Sequence, residues 1–149
     1  MPQIEKEYIE TGKLKYVVLD FPLESIHQNA FKAAEASRCA GEQGKYWEMH
    51  DQLFTHQQSL SPTDLAGYAQ AVGLNPQLFQ ACVESGHYAD AIRKDIAEGQ
   101  KAGVTGTPAF FIGVTEGDEG KVKVVRTLKG AQAYNGFKTA IDSVLAEQK

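Results

Sequence analysis

From Ser25 to Ala102 the chain carries mostly helical signals, and strand-like runs stand on both sides of that block. Such a block interrupts an α/β frame and reads as an insertion, not as a separable domain. Before it, Leu14 to Leu19 reads as a strand. Its Val17-Val18-Leu19 run is continuously apolar, which suits a strand covered on both faces. Asp20-Phe21-Pro22 ends that strand, because Pro22 has no N–H to give to a ladder. After the block, Gly106-Thr107-Pro108 leads into a strand over Ala109 to Ile112. Val122, Val124 and Leu128 then alternate with polar residues, predicting a second strand with one face buried. Between the two, Gly113 to Gly120 is a polar connection whose Glu116, Asp118 and Glu119 mark a solvated hairpin tip.

The helices are bounded by their own punctuation. Ile4, Tyr8 and Ile9 predict a helix over Pro2 to Thr11, stopped by Gly12. Within the block, Ile26, Ala30, Ala33, Ala34 and Ser37 line a first helix, and Tyr46, Trp47, His50, Leu53 and Phe54 a second. Ser61-Pro62-Thr63-Asp64 and Asn75-Pro76 are start signals, each a capping side chain followed by proline at the first helical position. Leu65, Tyr68, Ala69 and Val72 face inward on one, and Leu78, Phe79, Cys82 and Val83 on the next. A return helix carries Ala91, Ile92 and Ile96 toward Gly103. Tyr134, Phe137, Ile141, Val144 and Leu145 stripe a C-terminal amphipathic helix.

Size and charge narrow the function classes. A chain of 149 residues buries roughly two-thirds of its unfolded surface, enough for a core without metal or disulfide staples. A net charge of −4 argues against a general nucleic-acid binder, which needs a basic stripe. No run approaches the roughly 18 apolar residues of a membrane span. Met1 to Glu7 lacks the basic n-region and apolar h-region of a secretory signal, so the chain as it stands predicts a cytoplasmic location.

Few residues invite chemistry of their own. Cys39 and Cys82 have no C-x-x-C spacing and fall inside predicted helices, far from terminal N–H groups that would stabilise a thiolate. Two readings of them stand open: a structural disulfide joining two helices in an oxidising compartment, or two buried thiols acting as small hydrophobes. His27, His50, His56 and His87 are scattered without ligand spacing, so packed or surface histidines are expected rather than a metal site. Trp47, Tyr46, Phe54 and Phe79 are expected in the core. Glu116, Asp118 and Glu119 do not follow the spacing of an EF-hand calcium loop, with its central glycine and final glutamate.

Three blocks in order resemble the DsbA family of thiol–disulfide oxidoreductases. They are Tyr8-Ile9-Glu10-Thr11-Gly12-Lys13 running into Asp20-Phe21-Pro22-Leu23, Ala40-Gly41-Glu42-Gln43-Gly44-Lys45-Tyr46-Trp47-Glu48-Met49-His50-Asp51, and Gly103-Val104-Thr105-Gly106-Thr107-Pro108-Ala109-Phe110-Phe111-Ile112. The resemblance covers essentially the whole chain and implies an α/β, thioredoxin-like fold with a helical insertion. As domains it implies one DsbA-like unit over 1–149, with the insertion and its return helix at 24–102 and the thioredoxin-like frame at 1–23 and 103–149. Thr107-Pro108 is similar to the family's cis-proline loop, where Thr107 would hold the backbone of an extended substrate and Pro108 would shape the site.

The chain departs from the family where the chemistry sits. The N-terminal strand and the C-x-x-C that opens the first long helix have no counterpart here, and Met1-Pro2-Gln3-Ile4 looks like mid-helix family sequence. The expectation is a chain truncated inside that helix, with no catalytic residue and no dithiol redox activity of its own. By resemblance the full protein would act on substrate proteins or peptides with thiols or disulfides. It would be recharged by a membrane quinone-linked partner, work in the periplasm or another extracytoplasmic space, and need no cofactor. Two rivals are a non-catalytic peptide-binding module of the same fold and a glutathione-dependent isomerase or transferase. A missing central strand would leave two rows of backbone groups unpaired, each buried orphan costing about 1–3 kcal/mol. Poor stability of the isolated chain, or self-association through exposed strand edges, is therefore expected.

Overall fold

Ser61 starts its helix as the sequence implies. Its hydroxyl accepts from the Asp64 N–H at 3.3 Å while the Asp64 carboxylate accepts from the Ser61 N–H at 2.9 Å, a complete capping box. Asn75 does the same for the next helix, its Oδ1 accepting from the Leu78 N–H at 3.1 Å. These caps belong to a computed structural model that describes residues 2–116 and 121–148.

The elements in order are α1 (Pro2–Ile4), continued by a π-helical turn at Glu5–Ile9, α2 (Ala30–Glu42), α3 (Tyr46–Thr55), α4 (Pro62–Ala71), α5 (Pro76–Ser85), α6 (Ala89–Lys101), β1 (Ala109–Glu116), β2 (Lys121–Lys129) and α7 (Tyr134–Glu147). The chain divides into two compact units, one of Met1–Val18 with Val104–Lys149 and one of Leu19–Gly103.

The Leu19–Gly103 unit is a helical cluster whose core is Ala33, Ala36, Ala40, Met49, Leu53, Leu65, Ala69, Leu74 and Phe79. Small residues on α2 let α3 and α5 approach it closely. Cys39 and Cys82 are bonded to each other across α2 and α5, with 43 residues of separation and Cα atoms 5.8 Å apart. Of the two readings left open by the sequence, the disulfide is the one the fold adopts. Gly86 closes α5 in the left-handed region (φ 64°), a conformation that a side chain would strain.

The other unit packs α7 against the β1–β2 hairpin and the N-terminal helix. Its core joins Ile4, Tyr8, Phe137 and Ile141 with Phe110, Ile112 and Leu128, and the Phe110 and Phe137 rings meet edge-to-face at 4.7 Å. β1 and β2 pair antiparallel from Ala109↔Lys129 to Glu116↔Lys121, with an irregularity between Ile112 and Gly113.

Four expectations need correction. Leu14 to Leu19 forms no strand. Its alternate residues are partly buried, but Val17 and Leu19 are 62% exposed, and among the described residues no neighbouring strand pairs with this stretch. The first helix of the insertion starts at Ala30, not near Ile26, because the backbone closes turns from Ile26 and His27 back to Leu23. On α3, Met49 and Leu53 take the inward face, which leaves Trp47 and Phe54 exposed instead of in the core; Leu78 on α5 is also exposed. On β2 the extra residue at Val125 inverts the alternation, so Val122 (59%) and Val124 (49%) face out while Leu128 packs inward. The expected hairpin tip at Asp118 and Glu119 lies outside the described residues.

Candidate functional site

Gly106 and the strand that follows set the Thr107-Pro108 corner. The peptide bond between Thr107 and Pro108 is cis, and both residues are exposed. The Pro108 carbonyl accepts a 2.8 Å hydrogen bond from the Gly130 N–H, closing the open end of the hairpin just before Ala109 enters β1. Thr107 stands one residue outside that closure. Among the described residues no hydrogen bond reaches its N–H or C=O, so an exposed residue presents an unused donor and acceptor at the head of a strand. Such a pair can receive the backbone of an extended peptide without reading its side chains.

Cys39 and Cys82 lie in the helical unit and the Thr107-Pro108 corner in the other. The cysteines hold no free thiol. Cys39 is buried among core residues and Cys82 is partly exposed.

Two charged networks escaped sequence reasoning. In the helical unit, Arg38 donates from Nε to Asp20 at 2.5 Å and from its terminal amino group to Asp95, whose same oxygen accepts from the Asp20 N–H at 3.1 Å. Burial pushes the Asp20 carboxyl above its usual range despite the lowering by Arg38. In the frame unit, Tyr8 donates to Asp142 at 2.7 Å, and Lys138 reaches both at 3.2 Å and 3.1 Å. The Tyr8 hydrogen bond, aided by Lys138, holds the Asp142 carboxyl below its ordinary value. Only Lys138 and Asp142, four apart on α7, are marked as partners by spacing; the other contacts join residues distant in the chain.

The His50 ring lies tilted against Phe54 at 4.5 Å and edge-on to Trp47; its Nδ1 is 3.6 Å from an Asp51 carboxylate oxygen and has no hydrogen-bond partner among the described residues. Among the described residues no three His, Cys, Asp or Glu side chains converge as metal ligands.

The family model described as thioredoxin matches residues 1–143. The chain belongs to the thioredoxin family. Its fold is similar to that of a cysteine-to-alanine variant of α-DsbA1 from Wolbachia pipientis, with a TM-score of 0.78 and 24% identity, covering 98% of this chain and 75% of that one. The DsbA-type thioredoxin fold with a helical insertion is therefore the fold of this chain.

Curated relatives match a shorter stretch. A Na(+)/H(+) antiporter NhaA 1 of Salinispora arenicola is 37% identical over 111 residues, which is 74% of this chain and 17% of the antiporter. An NhaA of Herminiimonas arsenicoxydans is 35% identical over 99 residues, 66% of this chain and 16% of that protein. The chain thus aligns with only a small part of the length of the curated relatives it matches. No helix among the described residues is long and apolar enough to cross a membrane.

Proposed function

We propose that this chain is the substrate-holding part of a DsbA-like thiol–disulfide oxidoreductase, and that Thr107 and Pro108 are its substrate-binding residues. The observation that carries this reading is the unused backbone donor and acceptor of exposed Thr107 at the head of β1. An extended stretch of substrate protein would pair there, and the exchanging dithiol would come from a C-x-x-C that residues 1–149 do not contain. The Cys39–Cys82 bridge supports an oxidising, extracytoplasmic compartment. Recharging by a membrane quinone-linked partner, and self-association through exposed strand edges, belong to the same reading.

The test is binding of an extended, unreactive peptide bearing alanine in place of cysteine. Backbone pairing predicts saturable binding that is lost when the central amide of the peptide is N-methylated and kept when its side chains are changed. Equal binding of the methylated peptide would overturn the proposal.

A second reading is favoured by the likeness to stretches of Na(+)/H(+) antiporters: the same Thr107-Pro108 corner as a peptide-binding site on a protein with no disulfide chemistry of its own. The coding sequence upstream of Met1 separates the two. An in-frame C-x-x-C there supports the oxidoreductase, and its lack supports the binding module.

A further inference from the structure

The two sulfurs of the bridge differ in environment. Cys39 is 1% exposed within the helical core, whereas Cys82 lines an open cavity of about 370 Å³ with Glu42, Gln43, Leu78 and His87. Cys39 does not line that cavity. The Glu42 carboxylate lies 3.7 Å from the Cys82 sulfur, and His87 Nε2 lies 3.9 Å from the same Glu42 oxygen. A disulfide sulfur has no proton to donate, so the Glu42 contact is a negative charge held against an electrophilic sulfur.

We propose that the Cys39–Cys82 bridge is a thiol-exchange site in its own right, entered at Cys82 from this cavity and selective through Glu42 for thiols that carry a positive charge. A small thiolate attacks the Cys82 sulfur and forms a new S–S bond with it. The Cys39–Cys82 bond breaks, and Cys39 leaves with the electron pair as a thiolate that takes a proton from water. The incoming sulfur is oxidised to the disulfide level and the Cys39 sulfur is reduced, so no further oxidant or reductant enters. An ammonium on the incoming thiol offsets the repulsion that Glu42 exerts on an approaching thiolate, and a carboxylate adds to it. The exchange is a single swap and not a dithiol turnover, because Cys39 stays in the core. It does not depend on Thr107 or on a C-x-x-C.

The experiment exposes the folded protein to cysteamine or to 3-mercaptopropionate at equal thiolate concentration and low salt. Samples are quenched with acid and the adduct is located by peptide mass spectrometry. The expected adduct is on Cys82, with cysteamine favoured several-fold beyond its advantage on a small-molecule disulfide. In Glu42→Gln that excess should vanish, and high salt should shrink it in the wild type. If reclosure by Cys39 outruns trapping, Cys39→Ala with free Cys82 is reacted with cystamine or dithiodipropionate and should show the same preference. In Cys82→Ala, buried Cys39 should react at least about 100-fold more slowly than free Cys82 until the protein is denatured. An adduct on Cys39, equal reactivity of the two cysteines, or an unchanged preference in Glu42→Gln would each overturn the proposal.

Discussion

Arg38 serves two carboxylates, and that sharing decides what its loss would do. With Arg38 removed, Asp20 and Asp95 would face each other partly buried and without a counter-charge. Breaking a buried pair costs more than the pair is worth, and these groups keep some solvent contact, so Arg38→Met should lower stability by about 2–4 kcal/mol in a denaturant titration. A loss below about 0.5 kcal/mol, the usual range for surface substitutions, would show the network to be inconsequential. Asp142 carries the opposite kind of shift. Its carboxyl sits below the ordinary aspartate value in the folded state, so its contribution is fully present above that ordinary value and lost as pH falls through the depressed one. Wild type should therefore exceed Asp142→Asn in stability near neutral pH, and the gap should close in acid. Urea melts across that pH range check this; a gap that is constant with pH would contradict it.

At the scale of elements, β1 depends on one glycine. A Cβ at Gly113 would stand 2.5 Å from Val122 Cγ1 and 2.6 Å from the Lys123 carbonyl oxygen, both across the bulge. Gly113→Ala should cost about 1–3 kcal/mol, read as a lower denaturation midpoint, and an unchanged midpoint would contradict the close approach. Local signals were legible wherever the chemistry was local: Ser61 with Asp64, Asn75 before Pro76, and the Phe137–Ile141–Val144 stripe all landed where the residues indicate. The β1 and β2 strands were legible too, but where a partner decides form or facing the reading failed. Leu14 to Leu19 has strand composition, yet a strand exists only when a neighbour supplies the ladder. Val122 and Val124 alternate as inward residues do, and only the bulge at Val125, set by pairing with β1, turns them out.

At the scale of the whole chain, the bridge between α2 and α5 closes a 43-residue separation. In the chain-entropy account, a loop of that length is worth about 4 kcal/mol. The thioredoxin-type fold was legible because three motif blocks stand in order. The candidate site was legible only as Thr107-Pro108, since the availability of the Thr107 backbone is a property of the folded hairpin. The claim that this backbone receives substrate is tested most directly by amide hydrogen exchange at Thr107, measured by NMR with and without the unreactive extended peptide. Pairing predicts fast exchange at Thr107 in the free protein and slow exchange, with a shifted resonance, in the complex. A Thr107 amide whose exchange and resonance stay unchanged at saturating peptide would contradict it.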